Sequence, residues 1–204
     1  MPDPFGDRLP LARRYAEHLA TTGVERGLIG PHEVPRIWER HVLNCAVVAE
    51  LVPDAARVVD IGSGAGLPGI PLALARPDLQ IVLLEPLARR VEWLQEVVAD
   101  LGLEVRIDRG RAEERAVRRR WEGADVVTAR AVAPLARLAG WALPLLRPGG
   151  VLLAVKGESA ATEIERDAVA VRKAGGGPAT LTRCGAGVVE PMTTVVAVPR
   201  RDRR

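Results

Sequence analysis

One stretch concentrates residues able to hold a small ligand: Asp60-Ile61-Gly62-Ser63-Gly64-Ala65-Gly66-Leu67-Pro68-Gly69-Ile70-Pro71. Glycine takes positive φ readily and, lacking a Cβ, lets a ligand approach main-chain N–H groups. Gly64 to Gly69 fits the GxGxxG pattern, which alone is weak evidence for a dinucleotide site. An acid stands 25 residues beyond Asp60: Glu85, at the end of the next apolar run, where a carboxylate can accept both ribose hydroxyls of an adenosine ligand. Arg130 and Lys156 close two later apolar runs. A guanidinium offers a planar fork of donors and an ammonium a point charge, and both suit an anionic or base-like acceptor.

The elements that must position these groups read as alternating strands and helices. Strand candidates cover 57–61, 80–85, 104–108, 124–129 and 151–156, with two late ones at 181–184 and 193–198. Between them lie helical patterns at 68–75, 88–101, 112–120, 134–146 and 159–174. Buried runs separated by helices predict βαβ units and a mostly parallel seven-stranded sheet flanked by helices, an α/β Rossmann-like fold. In such sheets ligands bind outside the carboxyl ends of the strands, which is where the glycine stretch, Glu85, Arg130 and Lys156 all fall. Two further helices, 9–22 and 34–51, precede the first strand and form an N-terminal helical extension. The chain therefore divides into an extension (1–54), a ligand-binding domain (55–199) and a basic tail (200–204).

Composition narrows the classes. With 204 residues, 48% hydrophobic and 27% charged, the chain fits one ordinary domain rather than a disordered segment. Aromatics make up only 3%, so recognition of bases by stacked rings is poorly supplied. Twenty-nine basic against 26 acidic side chains give +3, a mild bias that permits a polyanionic partner without demanding one. Cys45 and Cys184 form no disulfide framework, and His41 and Cys45, four apart, are too few for a metal site. No run approaches the roughly 20 apolar residues of a membrane span; the expectation is a cytoplasmic protein with no membrane contact and no obligate protein partner. An oxidoreductase of nicotinamide cofactors is the rival enzyme class, but Tyr15 is the sole tyrosine and lies outside the sheet, so no Tyr-x-x-x-Lys pair is evident. A non-catalytic RNA-binding module keeping a relic loop is a third reading.

Acid-x-Gly-x-Gly-x-Gly, with Asp60 as the acid, resembles the first motif of Rossmann-like methyltransferases that use S-adenosylmethionine. Further strings resemble one family closely. These are Trp38-Glu39-Arg40-His41-Val42-Leu43-Asn44, the glycine stretch with its Leu-Pro-Gly-Ile-Pro ending, Thr128-Ala129-Arg130-Ala131-Val132-Ala133-Pro134-Leu135 and Val155-Lys156-Gly157. Together they look like the ribosomal RNA small-subunit methyltransferase G family, formerly called glucose-inhibited division protein B. The resemblance runs from the second helix to the last strand. It implies S-adenosylmethionine as cofactor and methyl transfer to N7 of a guanine in 16S ribosomal RNA, presented as RNA or as the 30S particle. It also carries cofactor contacts onto Gly62, Leu67, Ala112, Glu113 and Arg130; the fold argument adds Asp60, Gly64 and Glu85. One departure stands before the second helix, where Gly27-Leu28-Ile29-Gly30-Pro31 replaces the family's Asn-Leu-Thr string.

Guanine N7 has an in-plane lone pair and no proton, so the reaction needs alignment and no general base. No Asn/Asp-Pro-Pro-aromatic string follows the fourth strand, as in exocyclic-amine methyltransferases, and no Pro-Cys nucleophile is present. Arg130 and Lys156 are thus read as groups that position the acceptor, and Arg40, His41 and Lys156 as RNA contacts. The Arg118-Arg119-Arg120 run and the arginine tail can add nonspecific, salt-sensitive phosphate attraction, but charge runs are usually solvated faces and these are assigned no specific role.

Overall fold

A computed structural model describes residues 3–202. Among these residues seven strands form one sheet in the order β3-β2-β1-β4-β5-β7-β6, with β1 Arg57–Ile61, β2 Gln80–Glu85, β3 Arg106–Arg109, β4 Ala124–Arg130, β5 Leu146–Lys156, β6 Thr180–Cys184 and β7 Thr193–Pro199. The pairs among β1 to β5 are parallel, whereas β7 runs antiparallel to both β5 and β6. The strand order reverses between β1 and β4, which opens a crevice at their carboxyl ends.

Alternation along the strands sorts the core into two layers. Val58, Ile81, Leu83, Val126 and Leu153 face one side, packed with the helices before β1 and with α3 (Gly69–Ala75) and α4 (Ala88–Asp100). Val59, Val82, Leu84, Val127 and Leu152 face the other, under α5 (Arg115–Trp121), α6 (Leu135–Ala142) and α7 (Ala160–Lys173). The N-terminal helices therefore share the core of one sheet face: Tyr15, on α1 (Leu9–His18), and Leu19 are both fully buried in it.

Most elements match the sequence pattern within a few residues, but three departures bear on the site. The pattern over 34–51 predicts one regular helix. The chain instead winds as a 3₁₀ stretch at Pro31–Arg36, a wide π-type stretch at Ile37–Leu43, α2 (Asn44–Ala46) and a second 3₁₀ stretch at Val47–Leu51. Pro31 and Pro35 lack the N–H groups that a regular helix would use. The third strand, expected at 104–108, lies at Arg106–Arg109, and the helix expected from 112 begins at Arg115, leaving 110–114 as a turn at the sheet edge. The fifth strand starts earlier than expected, at Leu146, past an irregular register opposite Ala124 and Val126. Of the basic tail, Arg203 and Arg204 lie outside the described residues. Among the described residues no helix is long and apolar enough to cross a membrane, and no three His, Cys, Asp or Glu side chains cluster as metal ligands.

Candidate functional site

Leaving β1, the chain turns sharply because the N–H groups of Gly62 and Ser63 both donate to Leu84 O on β2, at 2.8 and 3.2 Å. The N–H groups of Gly66 and Leu67 then donate to Ser63 O, and α3 starts at Gly69. Asp60 holds this turn from beneath. It is fully buried, and its carboxylate accepts from the Ser63 hydroxyl (2.6 Å), the Thr128 hydroxyl (2.9 Å) and the Gly69 N–H (3.2 Å). Burial pushes its pKa up to about 6 against the pull of those three donors, and the charge of Glu85 adds to the rise. A ligand contact was expected of Asp60; the side chain is fully buried beneath the turn, with donors from the loop and from β4, and there it shapes the cradle from below.

Two glycines of this loop are glycine for different reasons. At Gly69 a Cβ would lie 2.2 Å from Leu83 Cδ2, so packing forbids it. At Gly64, with φ +57°, a Cβ would meet no protein atom nearer than 3.7 Å. Its constraint is backbone conformation, for Gly62 O and Arg90 Nη1 would lie at ordinary contact distance, 3.7 and 3.8 Å. The Gly64 N–H donates at 2.9 Å to Oε2 of Glu85, and the Leu87 N–H donates at 3.0 Å to Oε1. Glu85 is buried, with the Arg90 guanidinium 3.9 Å away. Each carboxylate oxygen keeps one acceptor position free, the complement that a pair of ribose hydroxyls requires. The turn after β3 is drawn alongside, its Gly110 N–H reaching Glu85 O at 3.3 Å; there Ala112 is buried and Glu113 is exposed. Leu67 is buried at the loop's far end, and the Val132 side chain lies against Gly62.

The other rim is built around Arg130 at the end of β4. Its guanidinium does not point freely outward: it donates to Cys45 Sγ (3.1 Å), to Arg40 O (3.2 Å) and to His41 Nδ1 (2.8 Å). His41 is buried, its Nε2 2.9 Å from Glu33 Oε2, so its place is inside the protein rather than on an RNA-facing surface. Arg40 keeps an exposed side chain 3.4 Å from the same Glu33 carboxylate. Lys156 is also engaged, donating to Ala133 O at 2.9 Å and paired with Glu163 at 2.7 Å; it tethers the loop after β4 instead of opening to solvent.

Sequence reasoning missed four contributors. The Tyr15 hydroxyl donates to Ala65 O at 2.6 Å, bracing the glycine loop from α1. Thr128 reaches Asp60 because β1 and β4 pair in register there. Glu33 pairs with His41 and Arg40, and Glu163 with Lys156. None carries a local signal, since each contact joins segments distant in sequence. A cavity of about 730 Å³, lined by Arg57, Asp78, Gln80, Leu103, Arg106 and Trp121, opens at the amino ends of the strands, away from all these groups.

A family model described as rRNA small subunit methyltransferase G matches residues 8–190. Over 200 residues the chain is 58% identical to a ribosomal RNA small subunit methyltransferase G of Mycobacterium marinum, a match covering 98% of this chain and 88% of that one. It is 61% identical over 196 residues to the protein of that name from Renibacterium salmoninarum, covering 95% and 90% of the two chains. In fold it is similar to the S-adenosylmethionine-dependent methyltransferase SibL, with a TM-score of 0.63 at 19% identity over 98% of this chain and 70% of that one.

Proposed function

The chain belongs to the ribosomal RNA small subunit methyltransferase G family, and we propose that it transfers the methyl group of S-adenosylmethionine to N7 of a guanine in small-subunit ribosomal RNA. The observation that carries the cofactor half is the Gly64–Glu85 contact. A buried carboxylate with one spare acceptor position on each oxygen stands beside a positive-φ glycine that has no side chain to crowd it.

When bound, S-adenosylmethionine supplies an electrophilic methyl group on a sulfonium. The residues around it bind and orient. Glu85 accepts the ribose hydroxyls, Gly62, Gly64 and Leu67 line the methionine and ribose side, and the buried Ala112 with Glu113 borders the adenine. Asp60 keeps the loop in shape from below. No side chain has to remove a proton, because N7 presents a lone pair. The rate then depends on holding that lone pair in line with the sulfonium methyl, and effective concentrations gained by such alignment are large. Arg130 stands at the acceptor rim, where its fork can address guanine O6 or a phosphate. Lys156 supports it indirectly by fixing Ala133 O. Arg40, exposed beside the same rim, is the RNA-facing member of the helical segment.

Labelled methyl transfer tests this reading. Small subunits from cells lacking the protein, and the naked RNA extracted from them, are incubated with donor, and the modified nucleotide is mapped. Label at guanine N7 of the small-subunit RNA is the expected result. Label on an exocyclic amine, on large-subunit RNA only, or no transfer at all would overturn it.

A further inference from the structure

Arg130 is held entirely by residues that precede β1 in the chain, and their chemistry fixes the protonation of one of them. A guanidinium has donors and no acceptor. His41 Nδ1, 2.8 Å from Arg130, must therefore be the acceptor, and the ring proton sits on Nε2, donated to Glu33. His41 is the neutral Nε2–H tautomer. The wide turn at Ile37–Leu43 completes the hold by presenting Arg40 O to the same guanidinium. Turns of this kind recur where a helix serves a functional site. The third acceptor, Cys45, is kept a thiol because burial raises its pKa.

Resting on the function proposed above, we propose that Glu33 and His41 are positioning residues for methyl transfer. Through the neutral His41 ring they hold the Arg130 guanidinium at the carboxyl end of β4, so the acceptor rim is set by the helical segment before the sheet. Protonating His41 puts N–H groups on both ring nitrogens and turns the Arg130 contact from attraction into repulsion. The groups facing the ring are Glu33 from the 3₁₀ stretch, Arg40 from its own turn and Arg130 from β4, which Cys45 from α2 also holds, with Arg36 paired to Glu33 behind. Burial and the Arg130 charge lower the His41 pKa, while the Glu33 bond opposes them.

Three measurements test it. Imidazole ¹⁵N shifts of the free protein at neutral pH should show His41 protonated on Nε2 alone; a proton on Nδ1 overturns the proposal without reference to activity. In RNA methylation at saturating donor, His41→Ala and Arg130→Lys should each lower kcat on the order of tenfold to a hundredfold. The double variant should be no slower than the worse single, because the two act as one unit; additive losses overturn it. His41→Asn, whose amide oxygen can accept in place of Nδ1, should recover much of the loss seen in His41→Ala. The acid limb of kcat gives the sharpest readout. Glu33→Gln removes the anion that favours His41 protonation, so the limb should move to lower pH. An acid limb arising from Asp60, whose pKa is set by burial, Ser63, Thr128, Gly69 and Glu85, would stay in place, and an unmoved limb overturns the proposal. Thermal melting separates these effects from unfolding, and Glu33→Gln and His41→Asn suffice if His41→Ala does not fold. If the native protein methylates no RNA, the broader reading fails while the tautomer result still decides this one.

Discussion

The two rims of the crevice are held by different physics. On the donor side, between β1 and β2, the main chain itself is the device: loop N–H groups donate to Leu84 O and Glu85, and Asp60 supports the turn from a fully buried position. On the proposed acceptor side, the end of β4 carries a long side chain, Arg130, held by three acceptors from a segment some 85 to 90 residues earlier in the chain. Main-chain cradles tolerate few substitutions at their glycines, since backbone conformation and close packing are both at stake. A side-chain hold of this kind tolerates changes of fold stability better than changes of donor geometry. Donor-rim variants should therefore fail in binding and acceptor-rim variants in turnover.

Gly64→Val should break the donor rim most severely. A β-branched residue at φ +57° is strained, and its methyls would branch from a Cβ already in contact with Gly62 O and Arg90 Nη1. Donor affinity, measured by calorimetry, should drop on the order of a thousandfold while unfolding stays cooperative, because the strain is confined to the loop. Retained affinity would remove the loop from the site. Arg130→Lys should do the reverse. One ammonium cannot serve Cys45 Sγ, Arg40 O and His41 Nδ1 at once, so kcat should fall by about a hundredfold at a temperature where the variant, though less stable, is still folded. A large loss of stability with unchanged kcat would make Arg130 a structural tie only.

The donor rim also has a pH signature. Asp60 has a folded pKa of about 6 against the ordinary 3.8, so the folded state binds its proton more tightly than the unfolded chain. From this group, stability is greatest below about pH 4, falls as pH rises to about 6 and is level above. The shift corresponds to at most about 3 kcal/mol. Asp60→Asn can keep Gly69 and Ser63 on its amide oxygen and donate to Thr128, and it has nothing to ionise. Urea unfolding across that interval should show the wild-type slope flattened in the variant, by about 2 kcal/mol. An unchanged slope would place the titration elsewhere. Asp100, Asp125 and Asp167 have lowered pKa values and act in the opposite sense at lower pH.

What was legible in the sequence follows the same division. Strand and helix order, the glycine loop and Glu85 were readable because each is a local pattern: period-two apolar runs, positive-φ residues and an acid closing a strand. The winding of 31–51 was not. Its apolar spacing imitates a regular helix, and only the tertiary contact of Arg40 O with Arg130 and the missing donors of Pro31 and Pro35 explain the changes of pitch. The same holds for His41, read as an RNA contact from its basic neighbours yet buried between Glu33 and Arg130. Lys156 looked like a free cation at a strand end because Glu163, on α7, carries no sign of its partner.

Tyr15 joins the two regimes and gives the smallest expected effect. It lies on a helix before the sheet, like the acceptor-rim residues, but its hydroxyl serves the donor loop at Ala65 O, 2.6 Å away, and the ring is fully buried. Tyr15→Phe keeps the ring's packing and removes only the donor. The stranded Ala65 carbonyl has no water to turn to, so stability should fall by about 1–2 kcal/mol, read as a lower urea midpoint at unchanged slope. Because Ala65 sits between Gly64 and Gly66, part of that loss should appear in donor affinity and none in kcat at saturating donor. A variant with lowered kcat and unaltered donor affinity would show that α1 acts through the acceptor rim, and the division between the two rims would have to be redrawn around it.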